Sequence, residues 1–183
     1  MKLKHPSPKD IEEMRARGYE AATIEKATEQ SKRWHLAQEI AAHIREAFSG
    51  VTLGRGVGLH QAQGMDGYED ETTIAAYRDL DEKLDWSRIP PDALNECSSS
   101  LSFFDAEGMR FHLPAYLLAD LDGTYKHGMA YHLTDVGGFE QFALLSPMQH
   151  AAVCEFLQYI VDEESYIFQR SDISRALNEY WLK

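Results

Sequence analysis

Trp34, Ala37, Ile40, Ala41, Ile44, Ala47 and Phe48 recur at three- and four-residue spacing, a period that an α-helix gathers into one apolar stripe and a strand cannot. The pattern predicts a helix over 31–48, with Gly50 placed to end it, and any fold of this chain must cover the stripe. A second stripe, Ala152, Val153, Phe156, Leu157, Ile160 and Val161, follows Ser146-Pro147-Met148-Gln149, where Ser146 and Gln149 can cap each other's backbone. A third, Ile173, Ala176, Leu177, Tyr180 and Trp181, follows Ser171 as its cap. Near the start, Ser7-Pro8 with Asp10, Glu12 and Glu13 reads as a capped first turn, interrupted at Gly18. Residues 19–30 are polar and carry too few large apolar side chains for a buried face. The expected organisation is a polar helical arm over 1–30 and a single globular domain over 31–183.

The middle of the chain has a different period. Leu101-Ser102-Phe103-Phe104 and Met109-Arg110-Phe111-His112-Leu113 flank Asp105-Ala106-Glu107-Gly108, the pattern of a β-hairpin whose glycine takes a left-handed turn position. Pro114 would then open a short helix over 115–121. Tyr131–Thr134 reads as a further short strand, parted by Gly137-Gly138 from a short apolar run over Phe139–Leu145. The fold class expected is therefore α+β, with helices packed on a small antiparallel sheet containing the hairpin near 101–113. Between the first helix and the hairpin lie a glycine-rich stretch, Gly54-Arg55-Gly56-Val57-Gly58, read as a loop or distorted edge strand, and a helix over 72–84 with Ile74, Tyr77, Leu80 and Leu84 on one side.

Charge narrows the function. The net charge is −12, and residues 66–85 contribute half of it, with eight acids against Arg78 and Lys83. Such a field repels nucleic acid and anionic membranes, which bind chiefly through Lys and Arg. No stretch reaches the roughly 18 apolar residues of a membrane helix. Lys2 and Lys4 are not followed by the apolar core of a secretory leader, and Cys97 and Cys154 read as buried thiols. A cytoplasmic protein, monomeric or homodimeric, is the expectation.

Motifs for chemistry are sparse. Gly54-x-Gly56-x-Gly58 lacks the spacing of a dinucleotide loop and the Lys-Ser/Thr of a P-loop, so a structural loop is expected. The pairs His127 with His132, His150 with Cys154, and His35 with His43 complete no ligand set; no cofactor is implied. Two clusters remain as candidate binding sites. Asp81, Glu82, Asp85 and Trp86 combine carboxylates with a ring face able to receive a guanidinium, the alternative being a helix end with a buried tryptophan. Asp105, Arg110, His112 and Tyr116 surround the expected hairpin, where Asp105 would pair with Arg110 across the turn.

The order and wording of several segments carry a resemblance. Asp81-Glu82 with Asp85-Trp86-Ser87-Arg88-Ile89-Pro90, then Phe104-Asp105-Ala106-Glu107-Gly108-Met109-Arg110-Phe111-His112-Leu113-Pro114-Ala115-Tyr116-Leu117, then the run from Leu145 to Leu157, resemble a family of small bacterial proteins of unknown function across about residues 36–161. The resemblance implies a bacterial origin and supplies no activity. Two functions are expected from the residues themselves. The first is a non-enzymatic module that binds a basic protein on its acidic surface, an immunity-type neutraliser of a toxin being one form. The alternative is a small hydrolase or metal-dependent enzyme with a site near 101–116.

Overall fold

The structure is a computed structural model that describes residues 5–183, the side chains of residues 136–138 excepted. Lys2 and Lys4 therefore lie outside the described residues. The chain divides into two compact units, Met1–Ala42 and His43–Lys183. In the first, α1 (Pro8–Ala16) begins with a reciprocal cap between Ser7 and Asp10, and α2 (Ala21–Ala47) starts beyond Gly18. Ala37, Ile40 and Ala41 of the first stripe are buried, whereas Trp34 is partly exposed.

The second unit carries the end of α2, then α3 (Leu59–Asp66), α4 (Glu71–Leu80), α5 (Pro91–Glu96), α6 (Ala106–Leu121), α7 (Ala130–Thr134), α8 (Pro147–Ile160) and α9 (Arg170–Ala176). Short 3₁₀ turns join several of these, and a π turn over Leu177–Trp181 continues α9. Among the described residues there is no strand, so the α+β expectation is overturned: the fold is all-α. The supposed hairpin is a 3₁₀ turn, Ser98–Ser102, followed by α6. Tyr131–Thr134 belongs to α7, and Val136–Phe142 is 3₁₀.

The cause lies in where α6 sits. Met109, Phe111, His112, Leu113, Tyr116 and Leu117 are all fully buried. A helix enclosed on every side needs no polar stripe, so it shows no 3.6-residue period. Its strand-like alternation of Met109, Phe111 and Leu113 with Arg110 and His112 arises only because two polar side chains were also drawn inside or partly inside. Pro114 does not open a helix but sits within one, removing the amide that would have bonded to the Arg110 carbonyl.

The outer helices follow their periods more closely. α8 buries Ala152, Val153, Phe156, Leu157 and Ile160 behind the Ser146–Gln149 capping box. α9 buries Ile173 and Ala176 and its π turn buries Leu177 and Trp181, but Gln169, not Ser171, holds the cap position. α4 stops at Leu80, four residues short of the expected end, and leaves Leu80 and Leu84 in solvent.

Candidate functional site: a glycine loop seated on carboxylates

The segment 54–58 lies on the N-terminal turn of α6, and glycine is what lets it approach. A Cβ on Gly56 would stand 2.4 Å from the Gly108 amide nitrogen, and one on Gly108 would stand 2.5 Å from the Val57 carbonyl oxygen. Gly108 is thus required for backbone contact inside a helix, not for a left-handed turn. Around this contact the loop's amides are satisfied by carboxylates. Arg55 N–H donates to Glu107 at 3.0 Å and Val57 N–H to Asp105 at 2.9 Å. The same Asp105 oxygen caps α6 by accepting from Gly108 N–H at 2.8 Å. The expected Asp105–Arg110 pair is absent; the Arg110 Nε is buried without a partner.

The loop runs directly into α3, whose cap position is Gly58. Glycine has no side chain to cap with, and a remote one does so instead: Asp81 accepts from His60 N–H at 2.8 Å and Gln61 N–H at 3.2 Å. This leaves no space at the cap, since a Cβ on Gly58 would lie 2.0 Å from the Asp81 carboxylate. Gln61 returns a bond to Gly58 N–H at 3.0 Å, half of a capping box. Arg78 of α4 closes the other side, donating to the carbonyls of Gly54 (3.0 Å) and Gly56 and to Gln61 (3.1 Å). An anion-binding arrangement of amides and a helix N-terminus has been built here, and Asp81, Asp105 and Glu107 of the same chain occupy it.

Two histidines flank it. His60 Nδ1 is 2.7 Å from Asp81; the carboxylate is 1% exposed and the imidazole 46%. His112 is enclosed, its ring stacked on Phe104 at 4.4 Å. Its Nδ1 is 2.8 Å from the Gly108 carbonyl, which can only accept, so that nitrogen carries the proton. The other, Nε2, is a buried lone pair with no donor. Burial pushes His112 down to about 4, opposed by its bond to Gly108 and by the nearby charges of Asp81 and Asp105. Cys97, pushed up to about 11 by burial and then by Asp81 and Glu96, is an unreactive thiol.

Asp81, Asp105 and His112 therefore meet around one loop. Tyr116 lies deeper, donating to the Cys97 carbonyl at 3.1 Å. Trp86 is buried and donates to the Phe48 carbonyl at 2.8 Å. Glu82 accepts from three successive amides, Lys83, Leu84 and Asp85, and pairs with Arg88 at 3.5 Å. Asp85 caps the turn at Trp86–Arg88. His60, Gln61, Arg78 and Glu107 were not singled out by their sequence context. Gln61 alone carried a signal, three residues after a cap position.

The outer surface of the acidic segment has its own character. Asp70 caps α4 through the amides of Thr72 and Thr73. Hydrogen bonds from Thr73, Leu84 and Ser87 respectively hold Asp70, Glu82 and Asp85 below the usual carboxylate range. Tyr68 is 95% exposed, Leu80 79% and Leu84 74%, three of the four most exposed large apolar side chains among the described residues.

An all-helical domain centred on an enclosed α6, with a glycine loop bound by its own carboxylates, is the class that fold and site define. The chain belongs to a family of unknown function, DUF6714, whose model matches residues 36–183. No curated protein and no solved structure matches it. No helix among the described residues is long and apolar enough to cross a membrane.

Proposed function

We propose that this protein is a binding module that receives a basic protein partner on the surface formed by residues 66–85. The observation that carries the reading is the exposure of Tyr68, Leu80 and Leu84 within the most acidic stretch of the chain. Apolar side chains held in water among charges lose nothing by being covered and gain about 25 cal/mol for each Å² buried. The surrounding carboxylates select a cationic partner and speed its approach. Because backbone N–H groups hold several of those carboxylates ionised, the charge persists well below neutral pH.

Binding of a fluorescent hexa-arginine peptide, measured against a hexa-glutamate control at low and high ionic strength, tests this. The reading expects salt-sensitive binding of the cationic peptide alone, weakened in a Leu80→Ser/Leu84→Ser variant whose charge is unchanged. Equal affinity of variant and parent would refute the role of the exposed side chains.

One observation favours acid–base chemistry in a small hydrolase instead: a buried carboxylate orients His60 through Nδ1 while much of the ring stays in solvent. Hydrolysis of p-nitrophenyl acetate that is lost in His60→Gln would support that second reading over the first.

A further inference from the structure

The C-terminus of α3 ends in a Schellman motif. Glu69 N–H reaches the Gly64 carbonyl at 3.0 Å, and Tyr68 N–H reaches that of Met65 at 3.2 Å. This motif needs a left-handed residue just after the cap, normally glycine. Here the adjacent Gly67 has φ −75° and Tyr68 takes the left-handed place with φ 54°. A large aromatic residue is poorly suited to that conformation. Packing gives nothing back, since Tyr68 is 95% exposed. Glycine or asparagine would serve the fold better, and what tyrosine alone supplies is a ring projecting from the α3–α4 corner. Asp66, Glu69, Asp70 and Glu71 stand within three positions of it, and the last three are exposed.

Building on the binding reading above, we infer that Tyr68 is the aromatic anchor of that interface and that the partner meets it with arginine. A guanidinium is planar: it stacks on the tyrosine face while its edge donates to a neighbouring carboxylate. The compact ammonium of lysine cannot do both at once. Leu80 and Leu84 add apolar area, and the ring at the corner sets the preference between the two cations.

The test titrates the full chain with hexa-arginine and hexa-lysine and melts the same samples without peptide. Tyr68→Gly is expected to raise the melting temperature by about 2–4 °C, while weakening hexa-arginine binding about fivefold and erasing the preference over hexa-lysine. Tyr68→Phe, which keeps the ring and all charges, is expected to bind as the parent does. A purely structural tyrosine cannot give opposite signs for stability and affinity. If Tyr68→Gly binds hexa-arginine as tightly as the parent, or melts lower, the anchor role is overturned while the acidic-surface reading stands. If the parent shows no salt-sensitive hexa-arginine binding, both fall.

Discussion

Replacing Gly108 with alanine sets two effects of opposite sign against each other. In an exposed helix the change would be favourable by about 1 kcal/mol, because alanine loses less backbone entropy. At Gly108 the new Cβ would stand 2.5 Å from the Val57 carbonyl oxygen, 0.9 Å inside the 3.4 Å at which ordinary contact begins. The obstacle is backbone on both sides, so no rotamer change relieves it. Retreat of the loop by that distance breaks the 2.9 Å bond from Val57 N–H to Asp105, a hydrogen bond to a charged group contributing about 1.5–3 kcal/mol. Overpacking strain adds about 1–3 kcal/mol. Subtracting the helix gain leaves a net loss of about 1.5–5 kcal/mol. Urea unfolding reads this directly: with a slope of about 2 kcal/mol/M the midpoint falls by about 0.8–2.5 M at unchanged slope. Gly56→Ala, whose Cβ meets the Gly108 amide at 2.4 Å, lifts the same loop, so the double variant loses less than the sum of the singles. A Gly108→Ala protein at least as stable as the parent would refute the claim that the loop rests on α6.

Acid sensitivity follows from His112. Its folded value is lowered to about 4 from 6.5, chiefly by burial; below 6.5 the unfolded chain takes up a proton that the folded one refuses. Stability is therefore lost as pH falls from 6.5 to 4, by up to about 3 kcal/mol. His112→Leu is expected to flatten that part of the stability–pH curve, and an unchanged slope would show that His112 does not titrate as its enclosure requires. Trp86→Phe keeps most of the ring but abandons the Phe48 carbonyl, which now accepts from the indole at 2.8 Å; a buried acceptor without a donor costs about 1–3 kcal/mol. A melting temperature several degrees lower is expected, and one within a degree of the parent would mean that water replaces the indole at no cost.

Helices at the outside of the molecule were legible because one side must be apolar and the other need not be. α8 shows this, with Ser146 marking its start. α6 was illegible for the opposite reason. Enclosure erased its period, and Asp105-Ala-Glu-Gly, which in a hairpin would be a turn, is here an N-cap and first helical turn. The four residues are ambiguous because aspartate bonds a nearby amide equally well in both settings. What separates them is the backbone packed against Gly108, and Val57 is fifty-one positions away in the chain.

The candidate site was legible only as far as its residues lie close together in the chain. Asp81, Glu82 and Asp85 read as one acidic cluster, yet they face different environments: Asp81 is buried, whereas Asp85 lies in solvent. The burial of Asp81 follows from Gly58, which begins a helix without a side chain able to cap it. The orphan amides at His60 and Gln61 need an acceptor, and a carboxylate desolvated to serve them is stabilised by two amides and one imidazole bond. A glycine at a cap position followed three residues later by glutamine is thus a sequence sign that a cap arrives from elsewhere. The acid that supplies it must be discounted from any surface-charge argument. The exposed acids Glu69, Asp70, Glu71, Asp79 and Asp85 remain, and they are the ones beside Tyr68, Leu80 and Leu84 in the chain.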